Sequence, residues 1–210
     1  PVYQPQAILI DLVSRIQQML GHSGTLVPIW IVNDGSSSEY HELIAQLATV
    51  SEVRVLHHAV NLGKGAALKT GINAILTHSP GVKSIITADG DGQHTPEDIF
   101  RVAEKAQQNP TRFCLGVRQF ERAVPLRSRF GNALTGAVTR FLTGLWISDT
   151  QTGLRAVPRD LCEAALRIPL NGYDFEMECL IEFRRSREGN LQIDEVPIRT
   201  VYIEGNRSSH

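Results

Sequence analysis

The chain has 210 residues, 42% of them apolar, enough to bury one good core, so a single domain over 1–210 is expected. Its 21 basic and 22 acidic residues nearly cancel, which excludes a bulk positive field for nucleic acid and leaves only local basic clusters. No apolar run approaches the ~20 residues of a membrane-spanning helix, and no signal peptide is visible.

Pro1-Val2-Tyr3 reads as the end of a buried strand whose earlier residues are absent, because the next element is already a helix. That helix is marked by Ile8, Leu12, Ile16 and Leu20 and stops near Gly21. Leu26 to Val32 reads as a buried strand, Tyr40 to Val50 as a helix, Val53 to His57 as a short strand and Gly65 to His78 as a helix. Val82 to Thr87 is a strand opening into Ala88-Asp89-Gly90-Asp91-Gly92. Thr95 and Pro96 then cap a helix to about Gln108, followed by a strand over Phe113 to Val117. Strand-helix alternation of this kind predicts an α/β fold with a mostly parallel central sheet and helices on both faces. Ligands of such sheets bind beyond the carboxyl ends of the strands. Beyond Arg118 the regularity weakens into a long loop and an apolar-striped helix over roughly Asn132 to Leu145; that second half is read as elaboration on the acceptor side.

The chemistry-bearing residues fall where this architecture expects them. Asp89 and Asp91 are two carboxylates one residue apart at a strand end. They repel each other and so favour a divalent cation with oxygen ligands, magnesium or manganese, that leaves coordination sites for phosphate oxygens. Gln93 offers a neutral oxygen to the same ion, and the intervening glycines let a diphosphate approach the backbone. Asp34, in Asn33-Asp34-Gly35-Ser36, suits a nucleobase or ribose hydroxyls and equally a capped turn. Lys64, between Gly63 and Gly65 at a helix start, places a point charge beside free amides, which suits a phosphate or a base. Arg118, Arg127 and Arg129 form the local basic cluster suited to an anionic acceptor, with a solvated loop as the alternative. Asp149 to Arg155 is dense enough in polar groups to form a site wall. The acids of Tyr173 to Glu178 need no reason beyond the helix dipole. His57 and His58 are read as surface or packing residues, and Cys114, Cys162 and Cys179 as buried reduced thiols.

Taken in order, Pro1-x-Tyr3, Asn33-Asp34-Gly35-Ser36, Asn61-Leu62-Gly63-Lys64-Gly65, Asp89-Gly90-Asp91-Gly92-Gln93-His94-x-Pro96-Glu97, Asp149-x-Gln151-x-Gly153-Leu154-Arg155 and Gly205-Asn206-Arg207-Ser208-Ser209 resemble family 2 glycosyltransferases of the Rossmann-like GT-A fold. Among these the chain looks most like dolichol-phosphate mannose synthases and bacterial polyprenyl-phosphate glycosyltransferases. The resemblance implies inverting, metal-dependent transfer of a hexose from a GDP- or UDP-sugar to a polyprenyl phosphate, at the cytoplasmic face of a membrane. By motif, Asp89, Asp91 and Gln93 would ligate magnesium or manganese. Pro1, Tyr3, Asp34, Lys64 and Arg207 would hold the nucleotide-sugar, while Arg118 with Arg127 or Arg129 would hold the acceptor phosphate. The chain departs from the family at Gln4-Pro5, where Asn-Glu is common, and at Gly131, where a serine is expected if Arg127 is the acceptor arginine. Relatives often carry membrane helices after this domain, so 1–210 is expected to be part of a longer protein. Three other readings are a family 2 enzyme with a non-lipid acceptor, a dehalogenase-like phosphatase, and a non-catalytic nucleotide-sugar-binding module.

Overall fold

The computed structural model describes residues 1–22, 27–118, 144, 147–150 and 152–199. Helix α1 spans Ile8–His22 and buries Leu9, Leu12 and Val13. Strand β1 (Ile29–Asn33) follows, then a 3-10 turn (Ser38–Tyr40) leading into α2 (His41–Ala48). Next come β2 (Val53–His57), α3 (Lys64–His78) and β3 (Ser84–Thr87). Helix α4 (Pro96–Gln108) starts where the sequence says: Thr95 accepts the Asp98 amide at 3.2 Å, and Pro96 stands in the first turn, where a missing N–H costs nothing. Strand β4 is Phe113–Arg118.

The second half holds elements that periodicity did not reveal: β5 (Arg155–Pro158), α5 (Arg159–Ala165), α6 (Phe175–Ser186) and β6 (Ile193–Ile198). Of these only the start of α6 had been expected. The helix expected over Asn132–Leu145 lies outside the described residues except for Gly144, whose φ of 65° is not helical. Val82, expected in β3, instead closes a turn onto the Ser79 carbonyl.

Strands β1 and β2 pair in parallel, and Val2 adds an isolated parallel bridge to Asn33, while Tyr3, expected in the same strand end, already lies in a bend. The other four strands lie in the order β3-β5-β4-β6. There β4 and β6 are parallel, while β5 is antiparallel to both β3 and β4. The antiparallel strand has a simple cause. Arg118 at the end of β4 donates its amide to Asp149, six residues before β5, so β5 starts from the end of the sheet where β4 stops and runs back.

Both faces of this sheet are covered. On one, Ile85, Phe113, Leu115 and Val157 pack under α3, α5 and α6, with Phe113 and Phe183 edge to face at 5.4 Å. On the other, Cys114, Ala156, Val196 and Ile198 meet Val102 and Ala106 of α4. A third cluster joins α1 and α2 to β1 through Leu12, Ile31 and Leu47. Each fully buried Leu or Phe contributes roughly 1.5–3 kcal/mol of transfer energy, so these clusters hold the strand ends, and the loops on them, in place. No helix among the described residues is long and apolar enough to cross a membrane.

Candidate active site

The loops after β1, β2 and β3 meet at one end of the fold. After β1, the Asn33 side chain accepts the Ser36 amide at 3.1 Å and Gly35 takes a φ of 71°, turning the chain sharply. Asp34 is buried, and its carboxylate is bonded within the protein. Its oxygens accept the amides of Leu62 and Gly63, each at 2.9 Å, and Oδ1 lies 2.7 Å from Nδ1 of His58. Asp34 therefore fixes the loop that carries Lys64. The Pro1–Gln4 segment is tied to the same place: the Val2 amide donates to Val32, the Asp34 amide donates to Val2, and the Gln4 amide donates to Ser36 Oγ. Tyr3 projects with half its surface exposed. Pro1 and Val2 pack on Gly90, where an added Cβ would come within 2.6 Å of Val2 Cγ1.

Lys64 opens α3 after Gly63, whose φ of 99° only glycine adopts readily. Gly65, next along, fits so closely against Phe175 that a Cβ there would lie 2.5 Å from the Phe175 Cβ. The starts of α3 and α6 are thereby pressed together. As a result the Lys64 ammonium lies between two carboxylates, 2.8 Å from Asp89 Oδ1 and 2.7 Å from Glu176 Oε2. His94 Nε2 is 3.9 Å from the other Asp89 oxygen, and His94 Nδ1 is buried with no hydrogen-bond partner among the described residues. Asp91 Oδ1 accepts the Gln93 amide at 3.0 Å, closing the turn that follows β3. Burial alone would push the Asp89 carboxyl up, but the Lys64 charge and the His94 ring hold it well below the usual carboxylate range.

Gly153 and Arg155 form the floor. A Cβ at Gly153 would lie 2.2 Å from Asp89 Oδ2, so only glycine leaves room for that carboxylate. Arg155 is 4% exposed and donates to the carbonyls of Thr150, Thr152 and Glu176. Its Nε also lies 3.6 Å from Glu176 Oε1. Farther along the sheet end, Arg118 is clamped by buried Asp149 through Nε (2.6 Å) and a terminal nitrogen (3.0 Å).

Pro1, Asp34, Lys64, Asp89, Asp91 and Gln93 are thus brought to one place, while Arg118 stands at the end of β4. Arg127, Arg129 and Arg207 lie outside the described residues. Gly153 and Arg155 belong to the stretch expected as a site wall, whereas Glu176 and His58 were given no role in the site. Glu176 looked like a dipole-favouring acid, and nothing in a linear sequence tells which acid of a first turn faces inward. Among the described residues no three His, Cys, Asp or Glu side chains converge as a metal cage. The carboxylates of Asp89 and Asp91 are oxygen donors of the kind a hard cation takes, and Asp89 already accepts one cation, the Lys64 ammonium.

An uncharacterized protein of Methanocaldococcus jannaschii is 32% identical over 185 residues, covering 86% of this chain and 72% of that protein. The UDP-N-acetylglucosamine–dolichyl-phosphate N-acetylglucosaminyltransferase of Methanococcus voltae is 27% identical, covering 97% and 84%. The polyprenol monophosphomannose synthase of Mycolicibacterium smegmatis is 28% identical, covering 94% and 74%. In fold the chain resembles glucosyl-3-phosphoglycerate synthase from Mycobacterium tuberculosis, with a TM-score of 0.67 at 19% identity over 95% of this chain and 68% of that one. Residues 1–165 match the family model described as glycosyl transferase family 2, and the chain belongs to that family: it is a glycosyltransferase with the α/β fold of the GT-A type.

Proposed function

We propose that residues 1–210 are one catalytic domain that transfers a hexose, with inversion, from a GDP- or UDP-sugar to a polyprenyl phosphate in a metal-dependent reaction. The observation that carries this reading is the meeting of Lys64 and Asp89, with Asp91 two residues on, where β2 and β3 end, a basic and acidic set suited to a diphosphate and its cation. Three relatives support the acceptor, being named for dolichyl phosphate, polyprenol monophosphate and undecaprenyl phosphate; the chain spans half of the last.

Magnesium or manganese, held by Asp89, Asp91 and Gln93, would neutralise the leaving diphosphate. Lys64 adds a second positive charge for the donor phosphates. The Pro1–Tyr3 edge lies beside the base, and Asp34 holds the surrounding loops in register. Arg118, its guanidinium plane set by Asp149, receives the acceptor phosphate together with Arg127 or Arg129, and Arg207 closes on the diphosphate. An oxygen of the acceptor phosphate attacks the anomeric carbon from the face opposite the diphosphate. The new C–O bond forms as the old one breaks, and GDP or UDP departs. The nucleophile is already an anion, so no strong general base is needed, and orientation supplies much of the rate. The reaction is placed at the cytoplasmic face of a membrane.

The test is transfer of label from GDP- and UDP-sugars, with manganese, into an organic-extractable product when polyprenyl phosphate is supplied in detergent. Asp89→Asn and Asp91→Asn are expected to lower the rate by about 100-fold or more, the scale of losing a main electrostatic stabiliser. Transfer to water-soluble acceptors alone, or transfer insensitive to both substitutions, would sink the reading.

A further inference from the structure

Lys64 poses a problem for any cation at Asp89. Its ammonium lies 2.8 Å from Asp89 Oδ1, so a divalent ion on that oxygen and the ammonium repel at close range. The three side chains of the cluster are mostly shielded, with 15% of Lys64, 29% of Asp89 and 13% of Glu176 exposed, so water compensates little for a lost partner. The ammonium has somewhere to stay, however. Glu176 Oε2 holds it at 2.7 Å from a different element, the first turn of α6. Glu176 is itself fixed, since Arg155 bonds its backbone carbonyl at 2.8 Å and faces its second carboxylate oxygen at 3.6 Å. The contact of Gly65 with Phe175 locks the two helix starts at this spacing.

We propose that Lys64 acts as a built-in cation that occupies Asp89 until a divalent ion arrives, and that Glu176 is the positioning residue that retains the displaced ammonium. The inference rests on the reading of Asp89 as a metal ligand. With Glu176 in place, the ammonium gives up one carboxylate and keeps another. Without it, Asp89 is the ammonium's single acidic partner among the described residues, and the divalent ion must displace it from that counter-charge. The retained ammonium then stands beside the ion, where the donor's phosphate oxygens arrive, so metal entry and donor capture become one exchange of partners.

The experiment is titration of the protein with Mn2+ in the absence of nucleotide, free ion being read by electron paramagnetic resonance, with thermal melting to confirm folding. Lys64→Met is expected to tighten Mn2+ binding and Glu176→Gln to weaken it, each by about tenfold, the size of coupling usual for charged groups in contact. In the Lys64→Met background, Glu176→Gln should change the affinity less than about twofold. Lys64→Gln and Glu176→Ala replace any variant that does not fold. An equal loss from Glu176→Gln in both backgrounds, or weaker binding in Lys64→Met, overturns the inference. Asp89→Asn separates the two layers. If wild type binds Mn2+ and Asp89→Asn does not, the metal reading stands whatever the Lys64 and Glu176 variants do. If Asp89→Asn binds as wild type does, or wild type does not bind, both readings fall.

Discussion

The opposed forces on Asp89 and Lys64 fix how the pair responds to pH. Burial alone would lower the Lys64 value, yet Asp89 and then Glu176 raise it, while Asp89 itself is held low. A depressed carboxyl adds stability above its unfolded value of about 3.9, lost as pH falls through the lower folded value; a raised lysine adds stability below about 10.4, lost as pH climbs through the higher one. The melting-temperature gap between wild type and Asp89→Asn is therefore expected to hold from about pH 5 to 10 and to close in acid, and a gap widening toward pH 3 would contradict this sign. Gly153→Ala tests the floor: its Cβ collides with the Asp89 carboxylate, so the protein should fold with a lowered melting temperature and lose its thermal shift with Mn2+ and UDP or GDP. Burial pushes the thiol of Cys114 up to about 11 and those of Cys162 and Cys179 up to about 12. All three are free, so Ellman's reagent at pH 8 should find no fast thiol in the native protein and three after denaturation.

Among the elements, α4 was the most legible and β5 the least. Thr95-Pro96 with acids in the next positions announces a capped helix start, and the structure has Thr95 bonded as a cap should be. Thr95→Ala is expected to cost about 1 kcal/mol in urea unfolding, without altering nucleotide binding. Asp98 in the same turn does more than favour the dipole: it is fully buried, pairs with Arg101 and accepts the Arg199 amide, fastening α4 to the end of β6. That second role is invisible in sequence because Arg199 lies a hundred residues on. Strand β5 was missed for a different reason. Arg155-Ala156-Val157-Pro158 is four residues long, buried throughout and free of any polar alternation, so nothing in its pattern marks a strand. Its first residue, Arg155, reads as a surface charge until its three carbonyl partners are seen.

At the scale of the molecule, alternating strands and helices were enough to give the layered fold and to point to the strand ends as the site. Asp89 and Asp91 were singled out this way because they sit next to a strong strand signal, and Asp89 does meet Lys64 at 2.8 Å. Glu176 was not, because its importance comes from the docking of α6 on α3, a contact between residues far apart in sequence. The same distance has a consequence in time. Among the described residues strand β3 finds its hydrogen-bonding neighbour only in β5, where Thr87 pairs with Arg155. During synthesis the carboxylate of Asp89 thus emerges without its floor and waits on the order of ten seconds for Gly153 and β5 to follow at ordinary elongation rates. A chain halted at residue 150 should show fast amide exchange over Ser84–Thr87, whereas the full chain protects those amides that β5 pairs. The Asp89 loop of the nascent protein thus lacks its backing until the strand that runs backwards has been made.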